Sequence, residues 1–357
     1  MLNGSYAGAT GSVDYAGFEW GTSSNSLTED LSCDVASSFN ASLTGLAENT
    51  TYYYRAYVAE YNESTKSYEY RYGTVKSFKT LSSSTSVNRG YLDCYEMPAV
   101  TVLTQSSGKE THGNTNYQAY TVENSNQRVV THTFSYNGVK RNYSLLYDKS
   151  KKAALWVSFA MNTGSYPWLV DRNDSWKADP AIPSDWQPDL SSAYNGSYSR
   201  GHQVASNDRR TTTEQTKQTN YFSNMTPQLS GFNGGVWATL EGDIQTIGKK
   251  TSGSDTLYVV TGPVFGSGYG TATDKSGTQC AVPTHYFKCI MMVHFSGNTP
   301  VSASGAAYLL EHKNSGSTRQ EVTINSIEEL TGFDFFANLP TALQATAEAE
   351  THPTSYF

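Results

Sequence analysis

Charge, cysteine and long apolar runs are all scarce in this chain of 357 residues. Charged side chains make up only 16% of it and sum to −7 at neutral pH. That balance excludes a protein that grips nucleic acid through a broad basic face. It does not exclude a catalyst, which needs only a local cationic cluster around one phosphate. The four cysteines, Cys33, Cys94, Cys280 and Cys289, include no CxxC pair and no histidine at finger spacing. A structural zinc site is therefore not expected. An oxidising compartment would allow Cys280 and Cys289 to close a short loop, although four cysteines permit three full pairings. No window approaches the roughly 20 apolar residues of a spanning helix. The opening MLNGSYAGATGS lacks both the charged start and the apolar core of an export signal, so the expectation is a mature chain from which such a signal has been removed.

What is abundant is aromatic and hydroxyl-bearing. The chain is 37% hydrophobic and 13% aromatic, with 26 tyrosines, a composition that folds and that favours strands over helices. Its length predicts two domains. Over residues 15–80, short alternating runs broken by glycine and polar turns predict a small antiparallel sandwich. The clearest strand is 52–59, with Tyr52, Tyr54, Ala56 and Val58 on one face and Tyr53, Arg55, Tyr57 and Ala59 on the other. These tyrosines are read as packing residues before ligand-binding ones, because half of an alternating strand faces inward. The serine-rich LSSSTSVNR reads as a linker, which sets the boundaries at 1–80, 81–90 for the linker, and 91–357. Beyond it, strands are expected at 155–161, 257–261 and 286–294. Val236, Leu240, Ile244 and Ile247 follow helical spacing, so GGVWATLEGDIQTI predicts an amphipathic helix laid on a sheet.

Between Ser199 and Glu241 the residue types suit phosphodiester hydrolysis. A neutral imidazole with an ordinary pKa of about 6.5 accepts a proton from water, which makes His202 a candidate general base. Arg200 offers a planar fork for phosphate oxygens. Asn233 offers a neutral carbonyl oxygen, and magnesium, which keeps most of its waters, is held by few protein ligands. A helix starting near Asn233 would set Asn233, Trp237 and Glu241 at i, i+4 and i+8 on one face, with Glu241 orienting a metal-bound water. Trp237 itself reads as packing before base stacking, and the other histidines show no spacing that suggests a site.

Two family resemblances rest on these and neighbouring segments. AGFEWG, ASLTGLAENTTYYYRAYV and GTVKSFKT resemble the fibronectin type III-like modules of exported proteins of Gram-negative bacteria, with Tyr52 at the corner-tyrosine position. SRGHQVASNDR, FSNMTPQLSGFNGGVWATLE, VTGPVF, VPTHYFKCI and ELTGFDFFANLP, five motifs in order, resemble the DNA/RNA non-specific endonuclease family of ββα-metal nucleases. The implied fold is α+β: a central antiparallel sheet with flanking helices, preceded by a small all-β immunoglobulin-like sandwich. The implied activity is hydrolysis of DNA and RNA without sequence preference, using a histidine base and one Mg2+ (Mn2+ or another divalent ion substituting) and leaving 5′-phosphates. Residue by residue, the resemblance implies His202 as general base and Asn233 as metal ligand. Arg200 becomes a phosphate or transition-state contact, Glu241 an outer carboxylate, and Asn224 a site asparagine assisting histidine or substrate. Arg172 aligns with an upstream phosphate-binding arginine; apart from the resemblance, Arg209 is taken as a second substrate contact, although for Arg209 and Arg210 a solvated turn reads equally well. The implied location is secreted, periplasmic or cell-surface.

Ser199 stands where the family has aspartate and Ala205 where it often has proline. Loss of that negative charge is the best support for the competing reading, a surface display protein with a degenerate nuclease domain whose tyrosine-rich module recognises glycan or protein. Sequence-specific nucleic-acid binding has neither a recognition-helix motif nor a basic stripe to support it.

Overall fold

The computed structural model describes residues 2–6, 13–43, 46–47, 50–79, 90–110 and 115–351. The chain divides into two compact units, residues 1–86 and 87–357. The division falls within the serine-rich segment read as a linker, most of which lies outside the described residues.

In the first unit the period-two pattern becomes the strand Thr51–Asn62. It pairs with Tyr15–Gly21, Ser67–Tyr72 and Lys76–Lys79, while Glu29–Cys33 extends the sheet beyond Tyr15–Gly21. Leu2–Ser5 and Ser38–Ala41 form a separate antiparallel pair. Leu2 and Phe39 from that pair meet Ala16, Phe18 and Val58 from the larger sheet in one small core. Tyr54 and Ala56 pack on this core, as alternation predicts. On the other face Arg55 pairs with Glu19 at 2.7 Å and lies 3.8 Å over the Tyr72 ring. The Tyr52 hydroxyl accepts the Ala47 N–H at 2.9 Å. Further along, Tyr61, Tyr68, Tyr70 and Tyr72 are exposed.

The second unit is organised by a nine-stranded antiparallel sheet. Its order is Arg319–Val322, Thr299–Glu311, His285–Ser296, Asp255–Val264, Ala153–Met161, Val139–Asp148, Gln127–Tyr136, Asn116–Val122 and Val102–Lys109. Central strands read as nearly continuous apolar runs because both faces are covered. One face carries Leu146, Trp156, Val260, Phe287 and Met291 against Ile324, Ile327, Phe335 and Ala347 of the C-terminal helical segment. The other carries Leu145, Val157, Phe159, Val259 and Ile290 against Phe232, Trp237, Leu240 and Ile244. The predicted strands are present, each longer by a few residues. All four cysteines are free. Cys280 and Cys289 sit in different hydrophobic clusters, so the loop closure contemplated for them is not made. Burial pushes the Cys280 thiol up to about 12.

The helix over the second face corrects the expected spacing. Helical backbone begins at Ser230, ahead of Asn233, and is kinked at Gly235, whose φ of −106° and ψ of −112° are not helical, before the regular helix Ala238–Lys250. The reason lies in Phe232 and Trp237, both buried and stacked with ring centroids 5.8 Å apart. They are five residues apart, a spacing that a regular α-helix places on divergent sides, and the kink at Gly235 between them lets the two rings meet. Asn233 is thus not a helix cap, and it stands two residues before the kink.

Candidate active site

A short two-stranded ribbon presents the Arg-Gly-His triplet. Tyr198–His202 pairs with Met225–Leu229, and His202 lies opposite Met225. A β-carbon at Gly201 would run into the Gln228 side chain of the facing strand, so any larger residue between Arg200 and His202 would have to push that buried glutamine aside. Ribbon and helix together wall a cleft of about 450 Å³, lined by Arg172, Trp176, Ser199, Arg200, His202, Asn233 and Glu241 among others.

His202 is half-buried, with its ring centroid 5.3 Å from that of Trp176. Its Nε2 lies 3.1 Å from Asn220 Oδ1, and Asn220 Nδ2 donates to the Asn173 carbonyl. A carbonyl can only accept, so the second bond fixes which end of the Asn220 amide faces the histidine. The oxygen faces Nε2, Nε2 therefore carries the proton, and Nδ1 is left as the basic nitrogen. Burial is the main force on the ring; with help from Arg172 and Arg200, and against the Asn220 bond, it pushes His202 down to about 4. The imidazole is thereby neutral through the whole physiological range. Asn220 escaped the sequence reading because its role depends on a carbonyl 47 residues away. We expect Asn220→Asp to favour the imidazolium and to move the acid limb of kcat/KM upward by about 1–3 pH units, whereas an unchanged pH profile would contradict this orienting role.

Arg200 is held by Nη1 donating to the Leu190 carbonyl at 3.1 Å and by its guanidinium lying 3.7 Å over the Trp176 ring. Its other nitrogens make no hydrogen bond among the described residues. Arg172, more exposed, pairs with Asp174 at 2.8 Å at the cleft margin. Ser199 Oγ lies 3.0 Å from Ser230 Oγ, so a hydroxyl pair stands where the sequence resemblance leads one to expect a carboxylate.

Asn233 and Glu241 both line the cleft. The Asn233 amide makes no hydrogen bond among the described residues, and a buried Glu241 oxygen has no partner. Burial, reinforced by Asp208 and opposed by Lys288, pushes Glu241 up to about 7. Lys288, which sequence reasoning also missed, is fully buried under the cleft with its Nζ 4.4 Å over the Trp237 ring. Trp237 is itself buried and cannot stack on a base.

Two expected site residues are elsewhere. Asn224 is fully buried and serves backbone: it accepts from Val204 N at 3.0 Å and donates to the Val204 and Thr219 carbonyls at 3.0 and 2.7 Å. It pins the segment that follows His202 and touches neither histidine nor cleft. Arg209 is fully buried too, because the tight turn Ser206–Asp208 directs it inward. Its Nη2 donates to the Ala160 carbonyl at 2.7 Å and its guanidinium lies 4.4 Å over Phe159, so it cannot meet a phosphate. The adjacent Arg210 remains half-exposed and pairs with Asp171 at 2.8 Å.

The DNA/RNA non-specific endonuclease family model matches residues 123–342. The chain is 29% identical to a nuclease of Nostoc over 229 residues, covering 60% of this chain and 78% of that protein. It is 31% identical to a nuclease of Serratia marcescens over 223 residues, covering 59% and 79% respectively. A solved EndoG/EndoGI complex overlays on 59% of this chain and 88% of that one at 25% identity, with a TM-score of 0.45. Among the described residues no helix is long and apolar enough to cross a membrane.

Proposed function

The chain belongs to the DNA/RNA non-specific endonuclease family, a nuclease acting on both DNA and RNA, and on that premise we propose that it cuts their backbones with His202 as general base, one divalent cation, magnesium first, beside Asn233, and 5′-phosphate products. The observation that carries the reading is a neutral histidine whose basic Nδ1 is defined by Asn220, set in one cleft with Arg200, Asn233 and Glu241.

The donor set suits a hard cation. Asn233 supplies an unengaged amide oxygen and Glu241 an orphaned, buried carboxylate oxygen, with no thiolate in the cleft. Asn233 would hold the ion directly and Glu241 would orient its water. A bound Mg2+ would polarise the scissile phosphate and neutralise the leaving oxygen.

The protein's own part is then definite. His202 Nδ1 takes the proton of the attacking water. Arg200, pre-stacked on Trp176, pairs with non-bridging phosphate oxygens, and Arg172 steers the backbone in from the margin. Every such group addresses phosphate, which carries no base information, so the lack of sequence preference follows. Asn233→Ala is expected to raise the Mg2+ concentration needed for half-maximal cleavage at least tenfold while leaving the melting temperature near that of the parent. Metal dependence unchanged by this substitution would remove Asn233 from the reading.

The N-terminal unit is read as a fibronectin type III-like module, supported by its all-β core and by the Tyr52 hydroxyl tied to Ala47. Export to the periplasm, cell surface or medium goes with that module. If it binds glycan or protein, the exposed row of Tyr61, Tyr68, Tyr70 and Tyr72 is the surface that would do so.

A further inference from the structure

The two C-terminal helices and the turn between them bring three carboxylates together on the face of the large sheet that does not carry the Asn233 helix. Glu328 comes from the helix Ile324–Thr331, Asp334 from the turn after its left-handed Gly332 cap, and Glu348 from the helix Thr341–Glu348. One oxygen from each lies within 4.8 Å of the other two. Two of the acids are partly satisfied: Glu328 accepts the Phe335 N–H at 2.6 Å and Asp334 accepts Gln344 Nε2 at 2.9 Å. Glu348 is different. It is only 5% exposed, its carboxylate faces the other two, and its Oε1 has no donor. Among the described residues no lysine, arginine or histidine forms an ion pair with any of the three.

A carboxylate this deeply buried with no cation beside it is costly, and a bound positive charge would offset that cost. The donors select the cation. Calcium takes about six to eight oxygen ligands in flexible geometry and is commonly held by protein carboxylates, whereas magnesium demands near-ideal octahedral geometry and keeps several of its waters. A donor set of carboxylates with no nitrogen or sulfur favours a hard ion of this kind.

We propose that Glu328, Asp334 and Glu348 form a calcium site, separate from the nuclease cleft, that ties the two C-terminal helices to each other. Its ligands come from both helices and from the turn that joins them, so occupancy fixes the packing of Phe335 and Ala347 against the sheet.

The test uses the full chain stripped with a chelator and then titrated with Ca2+ alone, read by calorimetry and by thermal melting. Asn233→Ala provides a background in which the cleft does not contribute. In that background the melting temperature is expected to rise by about 5 °C or more at a hundredfold excess of Ca2+ over its dissociation constant. Adding Glu348→Gln should abolish the rise, and in chelator this variant should melt no lower than its parent, because it removes an uncompensated charge. Adding Asp334→Asn instead should abolish or strongly reduce the rise. The proposal is overturned if the Asn233→Ala protein shows no calcium-dependent rise, or if the rise survives both carboxamide substitutions.

Discussion

Replacing His202 by alanine is expected to lower kcat/KM for plasmid and for RNA by about 10²–10⁴-fold, the contribution of a positioned proton-transfer group. Stability should change little, because the ring is half-buried at a cleft wall and its single hydrogen bond goes to Asn220. The pH profile separates a base from a bystander. With the pKa of His202 held near 4, the wild-type acid limb should lie well below the 6.5 of an ordinary histidine. The variant should lose that limb together with the rate. Full activity in His202→Ala would assign the chemistry to other residues and would favour the reading of a display protein with a degenerate cleft.

The largest effect on stability is expected at His132, far from the chemistry. This ring is fully buried, with Nδ1 2.6 Å from Glu110 and Nε2 3.0 Å from Asp179. Tyr221 donates to the second Glu110 oxygen at 2.5 Å, and Ser223 donates to Asp179. Burial opposes the charge on the ring, but Asp179 and Glu110 outweigh it and raise His132 to about 10. His132→Leu would leave two buried carboxylates without their cation, a loss of about 3–5 kcal/mol for a buried pair broken from one side. The sign of the pH dependence follows from the raised value. The stabilisation is fully present below about 6.5, the unfolded-state pKa, and is lost as pH rises through about 10. Urea midpoints of parent and variant should therefore differ most near pH 6 and converge by pH 10. A gap of the same size at both pH values would mean that the ring acts by packing alone. Adding Glu110→Gln and Asp179→Asn to His132→Leu should recover much of the loss.

The parts of this arrangement that were legible in the sequence are those set by local pattern. Period-two alternation announced Thr51–Asn62, apolar runs announced the central strands of the large sheet, and Val236, Leu240 and Ile244 announced the helix over it. Order and spacing also sufficed to bring Arg200, His202, Asn233 and Glu241 to one cleft. Long-range geometry explains the rest. Arg209 looks like a surface cation beside Arg210, yet a tight turn sends the two in opposite directions. Asn224 lies in a family motif, but only the fold shows that its amide is used up on the backbone of Val204 and Thr219. Asn220 lies only four residues before it, and gains meaning once Asn173 fixes its amide against His202. The kink at Gly235 goes with a stacked Phe232–Trp237 pair that no helical wheel would place together.

The most direct test of the central claim is to incubate the purified full chain with supercoiled plasmid and with ribosomal RNA, with and without Mg2+, and to map the ends of the fragments. The account predicts that both substrates are degraded without sequence preference to fragments with 5′-phosphate ends, that chelator stops the reaction, and that restored Mg2+ restarts it. Plasmid and RNA left intact across Mg2+, Mn2+ and Ca2+ would contradict it.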